Sequence, residues 1–306
     1  MELLTKEKLD NPENYCLLLT MDDHNSINNQ RLNQTKEFTS RDYMAETKGC
    51  IKAWRKNGGQ LKDIDIIIDY VGKSELSNEY KTFFKDYNCK VLYSDYSKQT
   101  EKFDYGFINV HLTGYYLQMY YPELLKKVII HIDLDMELLQ PIPTEFFEPL
   151  ITKDCIIGGY RNEDLVYQRL PLYANTILNS DLVITKSLEY SKINVYKEFI
   201  DNINYVNDNY EIITKEIIEN NPNQKIRTFD IEEYGVDRTY SFHPEKFQII
   251  KEDSYEQGEG YYKIKNINIK KVYFWHQHLT NVKTNLELLE HKIKLKKMIK
   301  DVSSKN

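Results

Sequence analysis

The sequence has four cysteines without a CxxC pair among them, only seven arginines, and no apolar span of the roughly 18 residues that a membrane helix needs. Cys16, Cys50, Cys89 and Cys155 are scattered through apolar or helical contexts, which speaks against a zinc site or a disulfide frame and for packed, reduced thiols. With 47 acidic against 41 basic residues and a net charge of -6, the chain lacks the basic face that phosphate backbones require, so nucleic acid is not an expected partner. The opening stretch MELLTKEKLDNPENY mixes Glu2, Glu7 and Asp10 with its lysines and holds no long apolar core. It does not read as a signal peptide, and a cytoplasmic location is expected. There is no internal repeat and no low-complexity linker, so the 306 residues are expected to form one domain.

What the chain does have is tyrosine, 25 of them, so much of its apolar surface ends in a hydroxyl that needs a partner or water. Such a composition suits a wide, half-polar cleft. The excess of Lys, Asn, Ile and Tyr also fits a biased base composition, and it carries little weight by itself.

Secondary structure follows from the patterning. YCLLLTM, 15–21, reads as a buried strand that empties into a polar stretch from Asp22 to Thr39. Residues 41–57 place Met44, Ile51 and Trp54 at helical spacing, and Gly58-Gly59 close the helix as an αL cap. IDIIIDYV, 64–71, is a second buried strand; Ser74 is expected to cap a helix through Asp86, and CKVLY, 89–93, makes a third strand. This β-α-β-α-β alternation predicts a parallel sheet with right-handed crossovers. An aromatic helix over 107–121 leads to a fourth buried strand, Val128 to Ile132. Further on, 155–160 reads as a strand ending in a Gly pair, 175–185 as another, 187–220 as mostly helical, and 271–278 as a strand. A Lys-rich amphipathic helix follows from about Asn285.

The fourth strand ends directly on Asp133-Leu134-Asp135, beyond the carboxyl end of a parallel strand, where open α/β sheets bind their ligands. In an extended segment residues two apart share a face, so both carboxylates can meet one hard divalent cation, Mg²⁺ or Mn²⁺, which bridges to substrate phosphates. Two acidic residues solvating a loop are the plainer explanation. His276 and His278 share a face of their strand and can either complete such a metal shell or hydrogen-bond among Tyr273, Phe274 and Trp275. Asp230, Glu232, Glu233 and Asp237 are candidates for a general base or for acceptors of substrate hydroxyls. Alternatively Glu232 and Glu233 form the first turn of a helix. Tyr43, Tyr115 and Tyr116 can stack on a base or a sugar. The C-terminal helix, with Lys292, Lys294, Lys296, Lys297 and Lys300 between its apolar residues, packs on its own domain or touches an anionic membrane.

Taken together, the strand ending near Thr20, the helix carrying Tyr43 and ending in AWRKNGG, the segment YPELLKKVIIHIDLDMELLQPI, the Asn179-Ser180 element and the late aromatic strand with His resemble one family. The chain is similar to the GT-A fold glycosyltransferases, most of all to the glycogenin and galactosyltransferase-like family 8 enzymes. The resemblance spans about 15–283 and implies an α/β, Rossmann-like fold with a mixed, mostly parallel sheet. It divides the chain into a nucleotide-sugar half, about 12–140, an acceptor half, about 141–283, and the C-terminal helix, about 284–306. It implies that Asp133 and Asp135 hold Mn²⁺ or Mg²⁺ on the diphosphate of a nucleotide sugar, with His276 or His278 as a further ligand. Thr20, Asp22 and Tyr43 then hold the uridine of a UDP-sugar, Asn179 faces the sugars, and Lys283 is left as a phosphate partner. Asp181 stands where the family has Gly, and Glu232 and Glu233 are the nearest acids to the family's sugar-contacting pair. The acceptor implied is a glycan, a protein side chain or a lipid. Two other readings stand beside this one: a haloacid-dehalogenase-type phosphatase with Asp133 as nucleophile, and a transferase-like module that binds nucleotide or glycan without turnover.

Overall fold

The structure is a computed structural model that describes residues 4–21, 43–72, 74–93, 117–118, 121–153, 155, 157–161, 178–186, 228–230, 237–240, 249–250, 263–264, 272–276, 293, 296–297, 299–301 and 304. Its first strand, β1 (Tyr15–Met21), is buried along its whole length. That is why its sequence is continuously apolar instead of alternating: both faces of a central parallel strand are covered. Tyr15, Leu17, Leu19 and Met21 enter the larger core on one face, while Cys16 and Leu18 enter a second cluster on the other. β2 (Asp65–Tyr70) and β3 (Cys89–Tyr93) follow with the expected bounds to within a residue, and β4 (Val128–Ile132) and β5 (Met136–Leu138) flank the acidic triplet.

Before β1 lies the single turn of helix α1 (Lys6–Leu9). Helix α2 (Tyr43–Asn57) buries Cys50, Ile51 and Trp54 in the larger core. It ends at Gly58 and Gly59, and Gly59 has a φ of 57°, the left-handed geometry expected of the Gly pair. The chain turns at once into a short 3-10 helix, Gly59–Leu61. Helix α3 (Asn78–Asp86) starts later than expected: its cap is Ser77, whose side chain accepts from the Tyr80 amide at 3.5 Å. Ser74 does another job, its carbonyl accepting the Tyr70 hydroxyl at 2.6 Å. Arg55 ties α2 to the turn after α3 by donating to Tyr87 O at 3.0 Å and 3.2 Å, and to Ile64 O at 2.8 Å. Of the aromatic helix expected over 107–121, residues 117, 118 and 121 are described; 117 and 118 are helical, and Tyr121 lies outside the helix. A 3-10 helix begins at Pro122. Helix α4 (Pro149–Thr152) closes the stretch after β5.

The remaining strands are β6 (Ile157–Arg161), β7 (Leu178–Lys186), β8 (Thr228–Asp230), β9 (Asp237–Tyr240), β10 (Ile249–Ile250), β11 (Lys263–Ile264) and β12 (Val272–His276). Among the described residues, the main sheet runs β3-β2-β1-β4-β7-β6-β8. β1 to β4 pair in parallel, but β7 pairs antiparallel with both β4 and β6, so the sheet is mixed. The Gly pair expected to end a strand sits instead inside β6, with a register irregularity between Gly159 and Tyr160. A second sheet, β5-β12-β9, and the pair β10-β11 complete the strands. The 187–220 helix lies outside the described residues.

Two consequences position the site. β1 is flanked by β2 on one side and by β4 on the other, so the strand order reverses between β1 and β4. The carboxyl ends of these two strands therefore bound the crevice in which such sheets hold ligands. The second consequence concerns β5, which is only three residues long and needs external support. α2 supplies it: Asn57 Nδ2 donates to Leu138 O at 2.6 Å, and Gly59 packs where a Cβ would come within 2.7 Å of Pro141 Cβ.

Candidate functional site

β1 and β4 are paired as far as Leu18 opposite His131; two residues further along the chain are Thr20, still in β1, and Asp133, just past the end of β4. Asp133-Leu134-Asp135 is not the extended segment that the sequence suggested. It forms a turn in which the Asp133 carbonyl accepts the Met136 amide at 3.1 Å, with Leu134 buried in the larger core. The two carboxylates consequently differ: Asp133 is half-buried, while Asp135 is 6% exposed. A same-face argument from strand alternation no longer applies, because the two residues belong to a turn. A carboxylate as deeply withdrawn from water as that of Asp135 keeps its charge only where cations or donors offset the desolvation. Hard oxygen donors of this kind suit Mg²⁺ or Mn²⁺.

The negative field of this turn is felt by a neighbour that the sequence had not marked. Burial, followed by the charges of Glu137, Asp135 and Asp133, pushes the Cys50 thiol well above its ordinary range. Three carboxylates at alternate positions, 133, 135 and 137, thus act on one point of α2. Glu137 lies on β5 with its Oε1 3.6 Å from the place a Cβ on Gly49 would take, and its Oε2 meets Lys296 Nζ at 3.1 Å.

Other predicted residues gather at the same sheet edge through backbone register. β7 runs antiparallel to β4 with Ile132 opposite Leu182, so the preceding residues Asn179, Ser180 and Asp181 extend past the end of β4 toward the acidic turn. β8 is parallel to β6 and ends on Asp230, opposite Gly159, which itself pairs with Val183. β12 returns antiparallel to β5 and sets His276 opposite Met136. Tyr43 opens α2. Asp237 is placed differently: it begins β9 opposite Val272, whereas the far end of that pairing sets Tyr240 opposite His276. Asp237 is thereby some 10 to 13 Å along the strands from His276, at about 3.3 Å per residue. Asp22, Tyr115, Tyr116, Glu232, Glu233, His278 and Lys283 lie outside the described residues. Among the described residues, no three or more His, Cys, Asp and Glu side chains gather as a metal-binding group.

Thr20 is where the sequence put it, at the end of β1, but its side chain is 1% exposed, and its Oγ1 lies 3.4 Å from His131 Nε2. In the parallel register Thr20 stands beside Asp69, which is fully buried at the end of β2. The buried set Thr20, His131 and Asp69 was not legible as a unit, because the three residues come from three separate strands. Behind them, Thr185 donates to Gln118 Oε1 at 3.0 Å, and Gln118 is fully buried too. The sheet thus carries a polar seam on one face just below the edge where the acidic turn stands.

No family model matches the sequence, and no curated protein matches it. Solved structures do. The apo structure of the bifunctional glycosyltransferase WbbM is 9% identical with a TM-score of 0.54, covering 90% of this chain and 49% of that one. An active-site mutant of LgtC, Q189E, is 10% identical with a TM-score of 0.50, covering 90% and 95%. Mouse xyloside xylosyltransferase 1 in its apo form is 14% identical with a TM-score of 0.44, covering 86% and 97%. The chain spans about half the length of WbbM and nearly all of LgtC. The fold is that of the GT-A glycosyltransferases, as the sequence resemblance implied.

Proposed function

We propose that the protein is a metal-dependent glycosyltransferase that moves a hexose from a UDP-sugar to an acceptor hydroxyl. One observation carries this reading: the Asp133–Asp135 turn stands at the carboxyl end of β4, at the point where the strand order reverses beside β1. Open α/β sheets hold their ligands at such a reversal, and the acidic turn stands beside it. Mn²⁺ or Mg²⁺ bound there would neutralise the departing diphosphate. Asp133 and Asp135 would hold it, with His276 as the favoured further ligand, since its backbone is opposite Met136. Residues near the end of β1, with Asp22 and Tyr43, would take the nucleoside. Asn179 would face the sugar from the start of β7, and Lys283 would meet a phosphate. Asp230, at the sheet edge, and the acids Glu232 and Glu233 that follow it are placed in sequence to accept from substrate hydroxyls, ahead of Asp237, which β9 sets apart. The chain would then work as one unit, with its nucleotide half to about residue 140 and its acceptor half beyond. The described segments of the C-terminal helix favour packing on the domain over a membrane contact: Ile299 is buried, and Lys296 pairs with Glu137. No described helix is long and apolar enough to cross a membrane.

The test is a panel of nucleotide sugars with Mn²⁺, reading UDP release with and without glycan, peptide and lipid acceptors. Release with a UDP-hexose that falls at least 100-fold in Asp133→Ala supports the reading. Wild-type turnover in that variant overturns it. A UDP- and Mn²⁺-dependent rise in melting temperature with no release over hours would instead identify a binding module. The phosphatase alternative needs a covalent aspartyl-phosphate at Asp133, and the glycosyltransferase fold offers nothing in its favour.

A further inference from the structure

We infer that the ion pair between Lys296 and Glu137 makes the C-terminal helical segment a strut for the Asp133–Met136 turn. The turn is held on one side by β4 and continues on the other into β5, a strand of three residues. Met136 and Leu138 of β5 are buried in the larger core, so Glu137 between them projects to the opposite face. There it lies against α2 at Gly49, where the missing side chain leaves room for the carboxylate, and its second oxygen meets Lys296 Nζ at 3.1 Å. The pair is partly shielded, with Glu137 19% and Lys296 42% exposed in their side chains. Ile299, one helical turn beyond Lys296, is 6% exposed, which gives the segment an apolar anchor beside its charged one.

Geometry and charge act in the same direction. Glu137 is the third carboxylate of an alternating set, and together with Asp133 and Asp135 it contributes to the field at Cys50. An ion pair to that third carboxylate ties β5, and with it the end of the turn, to a distant segment of the chain. Lys296, more than 150 residues later in the chain, supplies the cation. Glu137 and Lys296 are therefore positioning residues, acting on the turn and through it on whatever Asp133 and Asp135 hold. The consequence for donor binding rests on the proposed transfer reaction; the strut itself does not.

A double-mutant cycle in the full-length, metal-free protein decides the matter: wild type, Glu137→Gln, Lys296→Met and the double variant, followed by amide hydrogen exchange at Met136, whose N–H closes the turn. Exchange about 3- to 10-fold faster in each single variant is expected, and no faster in the double variant than in the singles, because one interaction is lost only once. The amide of Ile67 in β2 serves as the control and is expected to keep its wild-type rate. An unchanged Met136 rate in both singles, a multiplicative effect in the double variant, or an equal acceleration at Ile67 overturns the strut. With a UDP-hexose and Mn²⁺, the same variants are expected to raise KM for the donor by the same factor and to leave kcat within about twofold. Wild-type protein that releases no UDP with any donor would refute the transfer reaction alone, since the exchange measurement needs neither metal nor donor.

Discussion

His276 stands opposite Met136 across the antiparallel pairing of β12 with β5, one residue beyond Asp135. Two strands separated by some 130 residues of chain thus converge on the acidic turn, and the pairing continues away from it as Leu139 N donates to Tyr273 O at 2.8 Å.

This convergence makes a prediction about the metal. His276→Ala is expected to weaken Mn²⁺ binding about tenfold or more, and His278→Ala to change it by less than about threefold, because removal of a ligand costs far more than removal of a bystander. Titration of free Mn²⁺ by its paramagnetic resonance signal measures both. The reverse ranking would move the ligand to His278.

Thr20 offers a second test, because its hydroxyl is committed inward. Thr20→Val keeps the shape and leaves His131 without its hydroxyl neighbour in a buried site, so a loss of about 1 to 2 kcal/mol in urea unfolding is expected. The KM for a UDP-sugar should stay within about threefold of wild type. A large rise in KM at unchanged stability would show the hydroxyl contacting the nucleotide instead.

At alkaline pH the buried acids of β1 contribute to the behaviour, beside the buried thiol of Cys50 and the half-buried thiol of Cys89. Burial raises the Cys16 thiol from 9.0 to about 12 and also raises the Tyr15 hydroxyl above its ordinary 10.0. Both stay protonated in the folded chain while the unfolded chain ionises. Their contribution is therefore complete below pH 9 and is lost as the pH rises from about 9 toward 12, at about 1.4 kcal/mol per pH unit for each fully titrating group. Cys16→Ala should flatten the decline of stability over that window by about one such slope. An identical pH profile for wild type and variant would remove Cys16 as a cause.

Gly59 makes the last prediction. Its φ of 57° and the 2.7 Å between an added Cβ and Pro141 Cβ leave no room for a side chain. Gly59→Ala is expected to cost about 2 to 4 kcal/mol through backbone strain and overpacking together, read as a lower urea midpoint. Stability within about 0.5 kcal/mol of wild type would mean that the contact with the stretch after β5 relaxes freely.

Much of the nucleotide half could be read from local pattern. The mostly apolar YCLLLTM, DIIIDY and VIIHI became β1, β2 and β4 because a strand covered on both faces keeps few polar positions, here the buried Thr20, Asp69 and His131 near the strand ends. The Gly pair after Asn57 closed α2 as its chemistry demands. Helix starts were less legible, since Ser74 and Ser77 are equally good caps and only packing chose the second. The triplet Asp133-Leu134-Asp135 was recognised by its position after a buried strand, but its turn was not, because a three-residue strand on its far side leaves no periodicity to read.

The sequence by itself determined which strands are buried, where the acidic turn must emerge and which family of folds could carry it, since burial and capping are local consequences of side-chain chemistry. Only the tertiary structure decided what stands around that turn. It turned Thr20 inward to His131, moved Asp237 away along β9, brought His276 to Met136 and joined Glu137 to Lys296. Such pairings follow from strand order and register, which depend on contacts between distant segments that no local pattern records.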